Sequence, residues 1–438
     1  MRCQKSTSVV FLFGLTIAGI SYAAVHDPQI DRIDQALYKA AEYLIDKQSP
    51  DGAWRSEAYG CFKDGPSLTP YIMSCLFFVP GQPEKVRLSF NKGVQYLVSM
   101  VNEDGSINAG LRGLNFPVYT AASASRVVVL QDKTAKNMHA QTVWLRYLCD
   151  RRLTGSLGWN PSDPEYGGWG FSLNLPRKSA PGQPKDPMCG SNLTSTVFGI
   201  GALRSARVPP EDPIWQDILI FVKKCQNFAD DPAESDQRFD DGGFFFCPND
   251  PLQNKAGIAG PDRLGRQRYY SYGSMTADGL RALLACGLSP EHPRVVAARR
   301  WLERNFTTKT NPGIFADDRE VLRNATYYYY LWSVAHAFSR LGVVEIETQV
   351  GRLDWAHALA CELIDRQGPD GSWINSFTDA KEDDPLVASA WAAAALANCR
   401  QVLAPGDTRS GGTCPAAGIQ GKSAKGCLMA DEPNSHPK

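Results

Sequence analysis

The sequence lacks a net charge, because its 46 basic side chains are matched by 46 acidic ones. A chain without excess positive charge has no long-range field to attract nucleic acid or an anionic membrane surface. It also lacks a Gly-x-Ser-x-Gly elbow, a phosphate-binding loop and a dinucleotide fingerprint. We therefore expect no nucleic-acid partner and no cofactor.

No long apolar run follows the N-terminus, so we expect no stable membrane span. The N-terminus itself reads as a signal peptide. Arg2 and Lys5 precede an uncharged apolar run of about 12 residues from Val9 to Ile20, and small residues flank Tyr22 up to Ala23. We predict a signal peptide over 1–23, and a protein that is soluble and exported to a periplasm or to the extracellular space.

Paired cysteines at short spacing, which zinc sites use, are also missing, so we predict no metal site. The chain has 12 cysteines, of which Cys3 would leave with the signal peptide. Five lie in predicted loops and could form disulfides in an oxidising compartment: Cys61, Cys189, Cys247, Cys414 and Cys427. Their pairing stays open.

What the sequence does contain is an internal repeat. The stretch from Leu44 to Trp54 agrees with the stretch from Leu363 to Trp373 at eight of 11 positions, and both include Gln, Pro-Asp-Gly and Trp. Each follows an amphipathic helical pattern. Weaker copies of this glycine-aromatic turn occur at Gly167-Gly168-Trp169 and Gly242-Gly243-Phe244.

A second helical run, rich in small residues, follows each turn and gives six helix–turn–helix units. Units that bury one face against their neighbours form an open solenoid or a closed ring. The first and last units match best, as expected if they meet at a seam. We predict an all-α fold, an (α/α)6 toroid over residues 29–405 with the second helices inside, and a disordered tail over 406–438.

These turns resemble the repeats of squalene/oxidosqualene cyclases and of protein prenyltransferase β subunits. The resemblance covers about Gln29 to Pro405 and implies a toroid with a central cavity for an isoprenoid ligand or substrate. The cyclase acid, Asp-x-Asp-Asp, has no full counterpart: Asp240-Asp241, Asp317-Asp318 and Asp383-Asp384 each lack the leading acid.

Other signatures of the resembling families are incomplete as well. The regions that carry zinc ligands in the prenyltransferases read Tyr269-Tyr270-Ser271-Tyr272 and Asn324 to Tyr328, without a ligand in either place. Toroidal thioester domains carry Cys-Gly-Glu-Gln, which Cys189-Gly190-Ser191-Asn192 matches without the glutamine. The resemblance thus implies the fold more specifically than any activity.

Aromatic residues are the first candidates for ligand binding, since ring faces in a dry cavity hold apolar chains and stabilise cations. The candidates are Tyr269, Tyr270, Tyr272, Tyr327, Tyr328, Trp332 and His336. The alternative is aromatic packing between helices. Consecutive tyrosines from Tyr327 to Tyr330 cannot share one face, because helical residues are about 100° apart.

Carboxylates are the candidates for catalysis, since burial could raise the pKa of one of them and make it an acid. Asp240, Asp241, Asp317 and Asp318 flank the turns and could equally lie in solvated loops. Asp278 is placed inside an inner helix, where it either pairs with Arg281 or faces the cavity. Asp384 before Pro385 reads as a helix N-cap.

Three functions remain open at this stage. The first is an apolar-ligand or isoprenoid toroid with diverged or absent catalysis; if catalytic, it would be terpenoid cyclase-like. The second is a non-catalytic scaffold that binds a protein or polymer through the toroid face and loops. The third is a glycan-active (α/α)6 enzyme, which requires two carboxylates about 5 to 9 Å apart across an open cleft.

Overall fold

The computed structural model describes residues 28–404, except 111–112, 185, 187 and 377–378. The predicted signal peptide (1–23) and tail (406–438) lie outside the described residues. Within them the protein is helical, as predicted. The helices are α1 Pro28–Asp46, α2 Thr69–Leu76, α3 Glu84–Ser99, α4 Pro117–Val127, α5 Ala135–Cys149, α6 Leu193–Ser205, α7 Ile214–Lys224, α8 Gly273–Ala285, α9 Pro293–Asn305, α10 Tyr327–Leu341, α11 Trp355–Asp365 and α12 Pro385–Leu403.

Short strands in the loops form antiparallel pairs. They are β1 Trp169–Gly170 with β2 Ser191–Asn192, β3 Ile258–Pro261 with β4 Gln267–Tyr269, and β5 Glu345–Thr348 with β6 Gly351–Asp354. The 3-10 helices are Gly60–Phe62, Gly155–Leu157, Pro232–Glu234 and Asp317–Thr326. Because the strands are so short, they shape loops and add no sheet layer to the core.

The even-numbered helices pack against one another in chain order. Helix α2 contacts α4, α4 contacts α6, α6 contacts α8, α8 contacts α10, and α10 contacts α12. Helix α12 also contacts α2, although their sequences are about 310 residues apart. These helices are rich in small residues such as alanine, serine and glycine, which lets their backbones approach closely.

The odd-numbered helices cover them from outside. Helix α3 packs on α2, α5 on α4 and α9 on α8, in each case the even-numbered helix that precedes it, whereas α7 packs on α8 and α11 mainly on α12. Helix α1, the first helix of the described residues, packs on α12. Arg400 on α12 forms an ion pair with Asp34 on α1 across this contact.

The glutamine of each matched turn donates hydrogen bonds that join its unit to an odd-numbered helix of the next unit. Gln48 Nε2 donates to Gly52 O, within its own turn, and to Ser89 O on α3, both at 2.9 Å. Gln367 Nε2 donates in the same way to Gly371 O and to Ala36 O on α1, both at 2.9 Å. The last turn therefore makes with α1 the contact that the first turn makes with α3.

Gln226, in the fourth unit, makes the corresponding pair of bonds. Its Nε2 donates to Gly242 O at 3.0 Å and to Arg294 O on α9 at 2.9 Å. This glutamine lies 16 residues before its glycine, whereas Gln48 and Gln367 lie four residues before theirs. The spacing differs because a long loop separates the glutamine from the glycine, while the contact is kept.

The aromatic residue that ends each of these turns is buried. The indole Nε1 of Trp54 donates to Leu44 O at 2.6 Å, and that of Trp373 donates to Leu363 O at 2.8 Å. The backbone N–H of Trp54 donates to Thr69 Oγ1 in the first turn of α2. These bonds satisfy polar groups that would otherwise be costly to bury.

Among the described residues, only α12 is long and apolar enough to cross a membrane by composition. Most of it is buried, and it packs against α1, α2, α10 and α11. The carboxylate of Asp384 accepts a hydrogen bond from Leu386 N at 2.9 Å and caps the helix, which confirms the predicted N-cap. The apolar composition of α12 therefore serves the packing of the core.

Candidate ligand-binding site

A cluster of aromatic side chains lies where the even-numbered helices face one another. Its members, hereafter the aromatic cluster, are Tyr71 on α2, Tyr119 on α4, Phe198 on α6, Tyr329 and Trp332 on α10, and Trp391 on α12. Trp332 and Trp391 have ring centroids 4.6 Å apart, and Tyr71 and Trp391 are 4.3 Å apart. These spacings are within or close to the range of favourable aromatic contacts.

Rings of the aromatic cluster also meet between helices that are not neighbours in the packing order. Phe198 lies 6.2 Å from both Trp332 and Trp391. Helix α6 has α4 and α8 as its even-numbered neighbours, so the contact with α12 reaches across the centre. All members except Tyr329 nevertheless stay partly accessible. The aromatic cluster thus keeps some ring surface accessible.

The aromatic contacts continue from the cluster towards the N-terminal ends of these helices. Tyr119 contacts Phe116 at 6.5 Å, Phe116 contacts Phe62 at 5.2 Å, and Phe62 contacts Tyr59 at 6.3 Å. We call Tyr59, Phe62 and Phe116 the rim. Each is partly accessible, and a series of contacting rings runs from the rim to the aromatic cluster.

A carboxylate belongs to this rim. The hydroxyl of Tyr59 donates to both oxygens of Asp383, each at 2.7 Å. Burial, followed by the bond to Asp383, raises the pKa of Tyr59 to about 12. Lys381 lies 5.8 Å from the Tyr59 ring centroid and 6.0 Å from that of Phe116. The rim thus combines aromatic faces with one acid and one base.

Asp278 is fully buried behind the aromatic cluster. Its carboxylate accepts hydrogen bonds from the Tyr329 hydroxyl at 2.6 Å, the Ser333 hydroxyl at 2.5 Å and Arg281 Nη1 at 3.1 Å. Of the two interpretations left open by the sequence, the pairing with Arg281 is the one observed. Burial raises the pKa of Asp278, while Arg281 and the two hydroxyls act in the opposite direction.

A second buried acid, Glu382, was not predicted from the sequence. Its carboxylate accepts hydrogen bonds from Tyr328 N at 2.9 Å, Tyr329 N at 2.8 Å and Asn375 Nδ2 at 2.9 Å, and so caps the N-terminus of α10. Burial raises its pKa to about 7. A glutamate immediately before Asp383-Asp384 was the available signal, but its partner helix lies more than 50 residues earlier.

Two of the predicted ligand-binding residues lie in or beside the aromatic cluster. Trp332 is a member of the aromatic cluster, and His336 lies one turn further along α10, with its ring centroid 5.9 Å from that of Trp332. Burial and nearby arginines hold the pKa of His336 well below its usual range. The imidazole is therefore neutral at physiological pH.

The predicted tyrosines pack in other places. The hydroxyl of Tyr327 donates to Thr308 O at 2.7 Å, and that of Tyr328 donates to Ile374 O at 3.3 Å. Tyr272 is buried against Phe315, Tyr269 is buried against Phe245, and the backbone N–H of Tyr270 donates to Gly257 O. The packing interpretation therefore describes these five residues.

The remaining predicted acids lie outside the aromatic cluster. Asp240 pairs with Arg268 at 2.6 Å. Asp241 accepts hydrogen bonds from Ser271 Oγ at 2.8 Å, Trp301 Nε1 at 3.0 Å and Gly243 N at 2.9 Å. Asp317 and Asp318 are exposed on the 3-10 helix that precedes α10. Asp317 and Asp318 therefore fit the interpretation of a solvated position.

The cluster residues that the sequence analysis missed share a recognisable pattern. Tyr119, Phe198 and Trp391 are each a single aromatic residue within a helix of small side chains, as in Ser389-Ala390-Trp391-Ala392-Ala393. Such a residue projects beyond its neighbours and can reach the opposite wall. The described residues contain no group of three or more His, Cys, Asp or Glu side chains that could hold a metal ion.

Comparisons with known proteins found similar structures but no similar sequence. No protein-family model and no curated protein sequence matches the chain. Cellobiose 2-epimerase from Spirochaeta thermophila has a similar structure, with a TM-score of 0.54 and 10% identity over 87% of this chain and 99% of that one. The type II terpene cyclase MstE from Scytonema, in complex with geranylgeranyl dihydroxybenzoate, has a TM-score of 0.49 and 12% identity over 86% of this chain and 99% of its own.

A protein from Actinoplanes gives a TM-score of 0.49 and 15% identity over 84% of this chain and 99% of its own. At identities this low, structural likeness concerns the fold alone. The likeness to the epimerase places the chain among helical toroid-type folds. Activity and ligand have to be argued from the residues of the chain itself.

Proposed function

We propose that this protein is an exported, closed ring of six helical hairpins that binds an apolar, isoprenoid-like chain in its central aromatic cluster. The observation that carries the proposal is the continuous path of partly accessible aromatic rings from the rim to Trp332 and Trp391. An aromatic side chain that stays accessible inside a helical core leaves apolar surface in contact with water. A bound apolar chain would remove that surface from water at about 25 cal/mol per Å².

Closure of the ring is supported by contacts that recur at the seam. Helix α12 packs on α2 as α2 packs on α4, and α1 packs on α12 as α3 packs on α2. Gln367 bonds to Ala36 O as Gln48 bonds to Ser89 O. A ring that closes in this way directs all six inner helices at one axis, where the aromatic cluster lies.

The chemistry of the aromatic cluster suits a chain with double bonds or a developing positive charge. Indole and phenol faces attract cations and polarisable groups. Proton transfer, if the ligand undergoes any, is assigned to Asp383, because this carboxylate lies among the rim rings. Asp278 and Glu382 are fully buried and each accepts three hydrogen bonds.

Binding is tested with the purified mature protein in two steps. Native mass spectrometry and organic extraction first look for a co-purifying apolar molecule. Equilibrium dialysis with radiolabelled farnesol then compares the wild type with Trp391→Leu, Trp332→Leu and the control Trp159→Leu, whose tryptophan is buried outside the cluster. We expect saturable binding that weakens at least tenfold, about 1.4 kcal/mol, in the two cluster variants alone.

Absence of both a co-purifying molecule and saturable farnesol binding would overturn the proposal. Export has its own test, which is the N-terminal mass of the secreted protein after expression of the full chain. Cleavage after Ala23 is the expected result, and an intact Met1 in the cytoplasm contradicts it.

A protein-binding scaffold is the second candidate, and an exposed apolar surface favours it. Four large hydrophobic residues are 61–76% exposed: Leu252, Ile314 and Ile374 in loops, and Val321 in the 3-10 helix before α10. Arg319 Nη1 donates to Leu252 O at 3.5 Å, and Asn375 Nδ2 donates to Asn324 O at 2.8 Å, which joins these loops. Exposed apolar groups that lie together often mark an interaction site.

The two candidates respond differently to substitution. Replacing Ile314 and Val321 by serine should abolish capture of a partner and leave farnesol binding unchanged. The tryptophan variants should show the reverse. A partner that still binds the doubly substituted protein excludes this surface as its docking site.

A further inference from the structure

Two adjacent carboxylates lie where α12 begins, beside the rim. Asp383 accepts the hydrogen bond of the Tyr59 hydroxyl, and Asp384 Oδ1 caps the helix by accepting a hydrogen bond from Leu386 N at 2.9 Å. We call Asp383 and Asp384 the acid pair. The N-terminal end of a helix carries only about half a positive charge, so the acid pair leaves this end of α12 negative. Such a place suits a cation better than an anion.

One oxygen of the acid pair has no partner. Asp384 is 4% exposed, and its Oδ2 is buried without a hydrogen bond to any described residue. The cap engages Oδ1 alone. Buried polar atoms normally have a partner, and a carboxylate oxygen without one is costly to keep away from water. Oδ2 is therefore the atom at which a donor group of a ligand would be most stabilising.

Asp384 lies between the rim and the aromatic cluster. It precedes Trp391 by seven residues, which is two helical turns or about 10 Å, so both residues share one face of α12. One turn after Asp384, Val387 O accepts a hydrogen bond at 2.8 Å from the hydroxyl of the cluster residue Tyr71. Burial raises the pKa of Tyr59 and that of Tyr71, and the charge of Asp384 adds to both increases. A ligand that reaches Trp391 from the rim therefore passes Asp384.

An ammonium group of the chain itself lies against the rim. Lys381 Nζ is 5.8 Å from the ring centroid of Tyr59 and 6.0 Å from that of Phe116, both within the range of cation–π attraction. The backbone of Lys381 is left-handed, with φ at +60°, a conformation that residues other than glycine seldom adopt. The rim rings thus accept an ammonium group, and Lys381 competes for them with any other cation.

We propose that the rim binds the ammonium head of an amphiphile whose apolar tail lies in the aromatic cluster. This inference rests on the proposed function and adds the charge and the orientation of the ligand. The head donates to Asp384 Oδ2 and lies against the rings of Tyr59 and Phe116, in place of Lys381. The tail runs inwards to Trp391. Charge-assisted hydrogen bonds and cation–π contacts together select an amine over an alcohol or a carboxylate with the same tail.

The test compares probes that share one tail. Farnesylamine, farnesol and farnesoic acid are titrated calorimetrically into the wild type, Asp384→Asn and the control Asp354→Asn. Asp354 caps α11 by accepting a hydrogen bond from His357 N at 2.9 Å, and asparagine preserves such a cap in both variants. We expect the wild type and the control to bind farnesylamine at least ten times more tightly than farnesol, and farnesoic acid more weakly than either. The preference for the amine should disappear in Asp384→Asn.

A second variant shifts the affinity in the opposite direction. Lys381→Met keeps an apolar stem and removes the competing ammonium group, so farnesylamine should bind about three times more tightly than to the wild type. A loss of folding cannot tighten binding at Lys381 and remove the amine preference at Asp384.

Equal affinity of the wild type for farnesylamine and farnesol would overturn the inference and leave the proposed function standing. The same holds for a preference that survives Asp384→Asn, and for weaker amine binding by Lys381→Met. Failure of all three probes to bind would overturn the proposed function itself.

Discussion

The hydroxyl of Tyr329 donates a 2.6 Å hydrogen bond to the buried carboxylate of Asp278, which joins α10 to α8 directly behind the aromatic cluster. The ring of the same tyrosine contacts Trp391 at 5.0 Å and Trp332 at 5.5 Å. The orientation of a cluster ring is thereby coupled to a buried charge. The position of this ring should depend on the state of the Asp278 pair.

Tyr329→Phe should keep the packing and remove one of the three hydrogen bonds to Asp278. We expect the free energy of unfolding to fall by about 1.5–3 kcal/mol, the range for a hydrogen bond to a charged group. Urea denaturation measures this loss. Tyr38→Phe, at an exposed position on α1, is the control and should change stability by less than about 0.5 kcal/mol.

The ion pair of Asp278 with Arg281 is tested by removing each partner alone and then both. Asp278→Asn leaves Arg281 without its partner in the core, so we expect a loss of about 3–5 kcal/mol. The double variant Asp278→Asn with Arg281→Gln should recover part of that loss. Additive losses in the double-mutant cycle would show that the two groups are not coupled.

Glu382 predicts a pH dependence of stability. Its pKa in the folded protein is raised from 4.5 to about 7. An acid with a raised pKa contributes its stability below about pH 4.5 and loses that contribution as the pH rises through 7. Relative to Glu382→Gln, the wild type should therefore become less stable between pH 4.5 and 7.5, by up to about 3 kcal/mol. Parallel stability curves for the two proteins over this range would refute the raised pKa.

Closure between the first and last units is tested by matched glutamine substitutions. Gln48→Ala and Gln367→Ala each remove two hydrogen bonds to backbone carbonyls, one of them to the next outer helix. Gln48→Ala also removes the bond that Gln48 Oε1 accepts from Ser89 Oγ at 2.8 Å. We expect each loss to be about 1–3 kcal/mol in the free energy of unfolding, with that of Gln48→Ala the larger. A much smaller loss for Gln367→Ala would mean that its bond to Ala36 does not form in solution.

A pair of glycines tests the same seam by steric contact. Gly371 and Gly287 both have positive φ, at +90° and +96°. A Cβ at Gly371 would overlap the carbonyl oxygen of Lys39 on α1, whereas nothing lies within 4 Å of a Cβ at Gly287. Both alanine variants incur the backbone strain, about 1–2 kcal/mol, and Gly371→Ala should be the less stable by at least a further 1 kcal/mol. Equal melting temperatures would contradict the contact.

The sequence predicted features whose causes lie within a few residues. The turn chemistry around Gln48 and Gln367 and the cap formed by Asp384 depend on local spacing, and so does the pairing of Asp278 with Arg281, which was one of two alternatives. The four consecutive tyrosines also diverge as helical geometry requires. The hydroxyls of Tyr327, Tyr328 and Tyr330 donate to backbone carbonyls, while that of Tyr329 donates to Asp278.

Three features that depend on distant segments were not predicted. Glu382 reads as one acid among others until it is seen at the N-terminus of α10, 53 and 54 residues away from the amides it binds. Phe198 and Trp391 become neighbours only when helices from the third and sixth units face each other. The rim formed by Tyr59 and Asp383 joins residues 324 positions apart. Local patterns carry no information about such encounters.

The position of α12 has a consequence for how the chain reaches its final structure. This helix fills the space between α2 and α10 and also covers α1, so its absence would expose apolar faces at both ends of the sequence at once. During synthesis those apolar faces stay exposed until α12 has been made. Contacts between residues so far apart in the sequence slow folding and prolong the lifetime of intermediates that expose apolar surface and aggregate. A chain that stops before Pro385 should therefore aggregate or depend on chaperones, even though 11 of the 12 α-helices described would be complete.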